Sequence, residues 1–288
     1  MNFHESNRQA ESNQQPTPFF LYGTAWKEEQ TAQLTQRALQ AGFRGIDTAN
    51  QRKHYAEEAV GHALLYAYEH LELSRSDLWL QTKFTHLAGQ DHRLPYDPRA
   101  PIREQVMSSF ESSLAHLHTE VLNAFILHGP SLRHGLADED WEVWAAMEEL
   151  YMQGKIKAIG VSNVSAAQLQ LLLGECKIKP RYVQNRCFAS QGWDRDIRQI
   201  CNHHQIIYQG FSLLTANREV WESAAITQIS QHHKCTRAEV VFSFALALNM
   251  LPLTGTSNPQ HMHNDLRSRA DMLSEQELMF IKNIYPQK

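Results

Sequence analysis

The feature that most constrains this 288-residue chain is a regular alternation of short apolar runs with longer amphipathic ones. Runs at residues 19–24, 43–47, 78–83, 121–128, 157–161, 182–185, 206–210 and 251–254 have the length and residue types of buried strands. The stretches between them carry helical spacing, at 30–41, 57–69, 101–118, 138–153, from 165, 194–204, 219–233 and 237–249. In 101–118, for instance, Ile102, Val106, Phe110, Leu114 and Leu117 recur every three or four residues. Ser165 stands where an N-cap belongs. Further helices are expected at 259–266 and 274–285. Eight strands, each followed by a helix, fit either a closed eight-stranded parallel (β/α)8 barrel or an open doubly wound sheet. No G-x-G-x-x-G run follows an early strand and no linker divides the chain, so the expectation is one barrel domain over 18–288. A flexible polar tail is expected over 1–17.

Charge and composition exclude several functions. Lys plus Arg is 27 and Asp plus Glu is 31, a net charge of −4. Neutralising nucleic-acid phosphates needs a clustered basic excess, so no nucleic-acid partner is expected. No apolar run approaches the roughly 18 residues of a membrane span, and the amino-terminal stretch lacks a secretory pattern. The cysteines (Cys176, Cys187, Cys201, Cys235) form no C-x-x-C pair, and the expected compartment is a reducing cytoplasm. Sixteen histidines, with His203–His204 and His232–His233 adjacent, lack the spacing of a metal motif, so no metal is expected.

In a parallel barrel the chemistry sits at the carboxyl ends of the strands. Here those ends carry Asp47, Lys83, His128, Ser162–Asn163, Gln184–Asn185 and Phe211–Ser212, with Lys53, His54 and Tyr55 in the loop after strand two. A core strand has no reason to end repeatedly in ionisable or amide groups at one rim. A phenol beside a carboxylate-held ammonium gains acidity, and an imidazole can orient a carbonyl oxygen. The set suits proton donation to a carbonyl.

These stretches resemble the aldo-keto reductase superfamily, whose members are NAD(P)(H)-dependent oxidoreductases on a TIM barrel. The resemblance rests on Gly23-Thr24-Ala25-Trp26, the run from Gly42 to Ala49, Gln81-Thr82-Lys83, Leu127-His128-Gly129-Pro130, the run from Gly154 to Asn163, and Val183-Gln184-Asn185. It implies a catalytic set of Asp47, Tyr55, Lys83 and His128, with Tyr55 as proton donor in carbonyl reduction. It implies that Ser162, Asn163 and Gln184 hold a nicotinamide carboxamide and that Phe211 stacks on the ring. Ser212 and Leu214 would touch the pyrophosphate, and Gly23 and Thr24 would close the nicotinamide end. Thr256, Ser257 and Asn264 fall in the remainder of the cofactor site. Trp26 and His128 would face an aldehyde or ketone substrate, and a monomer is expected.

Two departures bear on these expectations. Tyr55 lies eight residues after Asp47 where the family usually has about five, and a gapless register backwards from Gly61 puts His54 in the tyrosine slot. The intervening Gln51-Arg52-Lys53 brings two cations toward the rim, for an acidic substrate or for solvent. After the eighth strand, Gly255 and His261 stand where many members carry a Lys and an Arg for the cofactor's 2′-phosphate. NADP is therefore expected from the resemblance alone, with NAD as the alternative. The short stretch after Asp265 suggests an open pocket, and the loop over 87–97 is long enough to line it. Two other functions remain open at this point: a Schiff-base lyase using Lys83, and a cofactor-binding regulatory subunit with little turnover.

Overall fold

The computed structural model describes residues 16–285. Residues 1–15 of the expected tail lie outside the described residues. Thr17, at its end, has its hydroxyl 2.8 Å from that of Tyr182.

The eight strands form one closed parallel barrel in sequence order, and Leu21 and Tyr22 pair with Leu253 and Thr254 to complete it. They are β1 (Leu21–Gly23), β2 (Gly45–Asp47), β3 (Trp79–Phe84), β4 (Ala124–Leu127), β5 (Ile159–Ser162), β6 (Tyr182–Arg186), β7 (Ile207–Phe211) and β8 (Met250–Thr254). The helices are α1 (Thr31–Ala41), α2 (Glu57–His70), α3 (Ile102–His116), α4 (Asp138–Met152), α5 (Ala166–Glu175), α6 (Arg195–His203), α7 (Arg218–Trp221), α8 (Ala224–His232), α9 (Arg237–Ala247), α10 (Pro259–Asp265) and α11 (Glu275–Lys282). Each strand and helix lies within a few residues of its expected place, with one exception. The helix expected over 219–233 is two, α7 and α8, because the Ser223 hydroxyl accepts from the Ile226 amide and starts a new helix there. Ser165 caps α5 as expected, with its hydroxyl accepting from the Gln168 amide.

Apolar side chains fill the space between strands and helices, with Phe20, Phe43, Phe110, Phe125, Trp144 and Phe242 among them. Inside the barrel the filling changes with height. Near the amino ends of the strands Leu21, Trp79, Ala124, Ile126, Tyr182 and Leu251 pack together. One level up, the third residues of β2, β3, β6 and β7 are Asp47, Gln81, Gln184 and Gln209, all buried. The barrel thus has an apolar floor and a polar upper layer, which carries the site.

Helix α2 follows the loop that bears Tyr55, and Gly61 sets its depth. A Cβ at Gly61 would lie 1.7 Å from the His116 carbonyl oxygen, so only glycine lets α2 pack this closely on the end of α3.

Candidate active site

A cavity of about 520 Å³ opens at the carboxyl ends of the strands. Of the residues expected from the sequence, Gly23, Trp26, Asp47, Tyr55, His128, Ser162, Asn163, Gln184, Phe211, Ser212, Leu214 and Thr256 line it. Thr24, Lys83, Ser257 and Asn264 lie outside its walls. The Thr24 hydroxyl turns inward to the Asp47 carbonyl oxygen at 3.0 Å, which ties β1 to β2. Asn264 accepts from Gln260 one turn earlier. Asp265 is the last of the described residues to line the cavity.

Lys83 is fully buried. Its ammonium donates to both Asp47 carboxylate oxygens, at 2.7 and 2.8 Å, and to the Thr48 carbonyl at 2.7 Å. All three of its donors are therefore committed. Asp47 is held from the other side as well. Gln81 Nε2 and Gln184 Nε2 donate to its Oδ1 at 2.6 and 3.0 Å, and both also donate to Gln209 Oε1 at 2.9 Å. Gln209 Nε2 returns a bond to Gln81 Oε1 at 2.9 Å. This closed network gives the buried ion pair the hydrogen bonds that such pairs need in a low-dielectric interior.

Tyr55 stands over this pair. Lys83 Nζ lies 5.2 Å from its ring centroid, and the His128 ring meets it edge-on at 5.9 Å. The sequence left residues 54 and 55 as alternatives for the proton donor. The structure brings the phenol of Tyr55 to Lys83 and His128, whereas His54 sits outward, stacked on Trp26 at 3.9 Å between centroids. Trp26 is 70% exposed, so this pair forms an aromatic wall at the mouth.

The expectation that Lys83 acidifies the phenol finds no support in these surroundings. Burial raises the Tyr55 pKa, and the Asp47 charge raises it further. The first reason is burial, which penalises the phenolate; Asp47 also pairs with the ammonium at contact distance, so the phenol faces a pair and not a free cation. Burial also pulls the Lys83 pKa down, and Asp47 and Glu57 oppose it. The His128 imidazole is pushed down to about 3, first by burial and then by Lys83 and His54. Phenol and imidazole are both neutral at pH 7, as a proton donor and a neutral hydrogen-bonding ring.

The amide and hydroxyl wall is tied internally. Ser162 donates to the Gln184 carbonyl at 2.7 Å, and Asn163 donates to the His128 carbonyl at 2.7 Å from a left-handed backbone with φ 53°. With Gln184 Nε2 also engaged, these residues offer oxygen acceptors toward the cavity more than free donors. Phe211 forms the facing aromatic wall, and the Arg186 guanidinium sits over its ring at 5.7 Å.

Several residues here were not singled out from the sequence. Gln81 and Gln209 are recoverable in principle, since alternation places Gln81 on the face of Lys83 and Gln209 on that of Phe211. Lys27 had no sequence signal. It follows β1, yet its ammonium donates to the Gly255 carbonyl at 2.7 Å and lies 3.6 Å from where a Cβ on Gly255 would be. The position after β8 that lacks a cation in sequence thus has one beside it in space. Burial lowers the Lys27 pKa to about 8.

The loop over 87–97 does not line the cavity. It buttresses the Tyr55 loop instead: Gln51 donates to the Gly89 carbonyl at 2.6 Å and Gln90 to that of Asn50 at 3.0 Å. Arg52 and Lys53 are exposed and outside the cavity walls. His232 and His233 are used where α8 meets α11, 3.4 and 3.0 Å from Glu277 Oε1.

Known proteins resemble this chain in sequence and in fold. The chain is 28% identical over 231 residues to glyoxal reductase of Bacillus subtilis, covering 80% of this chain and 75% of that one. It is 30% identical over 218 residues to deoxymugineic acid synthase 1 of Zea mays, covering 70% and 64%. Among solved structures, an aldo/keto reductase from Brucella melitensis superposes with a TM-score of 0.79 at 22% identity, covering 93% of this chain and 95% of that one. The aldose reductase of Schistosoma japonicum gives 0.80 at 21%, covering 94% and 89%. The sequence model of the aldo/keto reductase family matches residues 19–286, and the chain belongs to that family of oxidoreductases.

Proposed function

We propose that this protein reduces an aldehyde or ketone with a nicotinamide cofactor, NADPH in preference to NADH, and that Tyr55 donates the proton. The observation that carries this reading is the Tyr55 phenol between His128 and the Lys83–Asp47 pair, in a cavity lined by Ser162, Asn163, Gln184 and Phe211. The cofactor suits the residues present. Gln184, Ser162 and Asn163 would take the carboxamide, Phe211 one face of the ring, and Ser212, Leu214 and Thr256 the phosphates. Lys27 supplies the ammonium beside Gly255 that a 2′-phosphate would meet, which supports NADPH.

When bound, the cofactor would supply hydride to the carbonyl carbon. The chain's own part is to orient and to protonate. His128 directs the carbonyl oxygen, and Tyr55 passes its hydroxyl proton to that oxygen as charge builds on it. The resulting phenolate lies beside the ammonium of Lys83, which becomes more useful once negative charge appears on Tyr55. Trp26 and His54 form the apolar face for the substrate's remaining bulk.

The Schiff-base alternative loses support because Lys83 is fully hydrogen-bonded and outside the cavity walls. The four cysteines are free thiols, in keeping with a reducing compartment. The test is oxidation of NADPH and NADH against a panel of aldehydes and ketones, with Tyr55→Phe alongside. Turnover in the wild type should fall by about 10²–10⁴-fold in the variant, with cofactor affinity unchanged. Tight cofactor binding without reduction of any carbonyl would favour the regulatory-subunit reading, and an unchanged rate in Tyr55→Phe would remove Tyr55 from its role.

A further inference from the structure

Thr85 follows β3, two residues after Lys83, and is buried. Its Oγ1 lies 2.7 Å from His128 Nδ1. The rest of the residue is locked in place. Its methyl packs under the backbone of Gly89, where a Cβ would come within 2.7 Å of Thr85 Cγ2. Its carbonyl accepts from the buried Tyr96 hydroxyl at 2.7 Å and from Gln90 Nε2 at 3.4 Å. The loop over 87–97 therefore aims one hydroxyl at one ring nitrogen.

A neutral imidazole carries a single N–H, and its place decides what the ring can do. If Nδ1 held the proton it would donate to Thr85. The hydroxyl proton would then need another acceptor, and His128 is the one side-chain partner of that hydroxyl among the described residues. A buried donor without an acceptor is costly. If Thr85 donates to Nδ1, the hydroxyl and Nδ1 satisfy each other and Nε2 keeps the proton. We propose that Thr85 is a positioning residue that fixes His128 as the Nε2–H tautomer, so that the imidazole presents a donor to the substrate's carbonyl oxygen. The opposite tautomer would set a lone pair against that oxygen.

The catalytic meaning rests on the proposed carbonyl reduction, but the tautomer is measurable without turnover. Long-range ¹⁵N–¹H correlation spectra of histidine-labelled protein distinguish the two neutral forms. His128, assigned through His128→Asn, should show Nε2–H in the wild type and in Thr85→Ser. In Thr85→Val, which keeps the shape and removes the hydroxyl, Nδ1 loses its donor and its ¹⁵N resonance should move downfield, toward that of an imidazole nitrogen with a free lone pair. For reduction of a panel aldehyde, kcat should drop about tenfold in Thr85→Val, the scale of one hydrogen bond, and stay within about threefold in Thr85→Ser. An Nδ1–H imidazole in the wild type overturns the proposal, and so does a Thr85→Val variant with unaltered Nδ1 resonance and rate. Should Thr85→Val fail to fold, the wild-type and Thr85→Ser spectra still decide the tautomer. Absence of any carbonyl reduction by the wild type would count against the proposed activity and leave the tautomer assignment to stand or fall on the spectra.

Discussion

Asp265, at the end of α10, is buried and lines the mouth of the cavity. Its carboxyl is pushed up from 3.8 to about 7, first by burial, with the Glu239 charge adding and the Thr254 hydroxyl opposing. The Thr254 hydroxyl donates to Oδ2 at 2.8 Å. The folded protein therefore holds this proton more tightly than the unfolded chain does. Stability from this group is fully present below pH 4 and is lost as pH rises toward and through 7. A shift of about three units corresponds to about 4 kcal/mol across that window. Asp265→Asn keeps the shape and an oxygen for Thr254 but cannot ionise. Its advantage over the wild type should accordingly grow with pH and level off above 7. About 1 kcal/mol of this is already lost at pH 4.5, and for a domain of this size about 2 °C per kcal/mol applies, so the gap in Tm should widen by roughly 6 °C between pH 4.5 and pH 8. Thermal melts followed by circular dichroism at four or five pH values measure this directly. A gap that stays constant to within about 2 °C over that range would refute the reasoning, because it would mean that the carboxyl ionises as readily folded as unfolded.

Lys27→Met should weaken NADP⁺ binding about tenfold and NAD⁺ binding less than twofold, measured by quenching of tryptophan fluorescence. Since the Lys27 pKa is lowered to about 8, wild-type affinity for NADP⁺ should also decline as pH rises from 7 to 9, and a flat profile in both respects would remove the ammonium from the cofactor site. Lys83→Met strands the Asp47 carboxylate in the barrel and should cost about 3–5 kcal/mol in urea unfolding; a loss below about 1 kcal/mol would show that the glutamines alone hold the charge. The Cys187 thiol is pushed up to about 12, first by burial and then by Asp194. It should resist iodoacetamide at pH 8 in the native protein and react on denaturation, as read by peptide mass spectrometry.

The barrel was legible because its signal is periodic. Each strand buries both faces, so an apolar run such as 121–128 is distinct from the helix that follows it. Asp47, Lys83, His128 and Gln184 were legible because strand ends map to one rim. What the sequence hid depends on direction and distance. Nothing near residue 27 indicates that its ammonium reaches Gly255, 228 residues later. Nothing at 51–55 shows that the longer loop is clasped by Gly89 and Gln90, which lets Tyr55 take the inner place and His54 the outer. The acidity of the phenol was hidden for a related reason. Sequence shows which charges exist, whereas a pKa depends first on burial and then on which of those charges are already paired.

That pairing has a consequence for the direction of the chemistry. Asp47 receives bonds from Lys83, Gln81 and Gln184, and Gln209 links the two glutamines. The carboxylate is thus held by more than its lysine, and the layer presents almost no net charge to the cavity above it. A neutral floor leaves Tyr55 protonated at rest, which is the state that carbonyl reduction consumes. Alcohol oxidation would need Tyr55 to begin as phenolate, against both burial and the Asp47 charge. With this glutamine-braced pair, the oxidative rate should keep rising with pH well beyond neutrality while the reductive rate stays level. A reductive profile that falls with an apparent pKa near 7 would place the ionising phenol, and with it the role of the glutamine layer, in error.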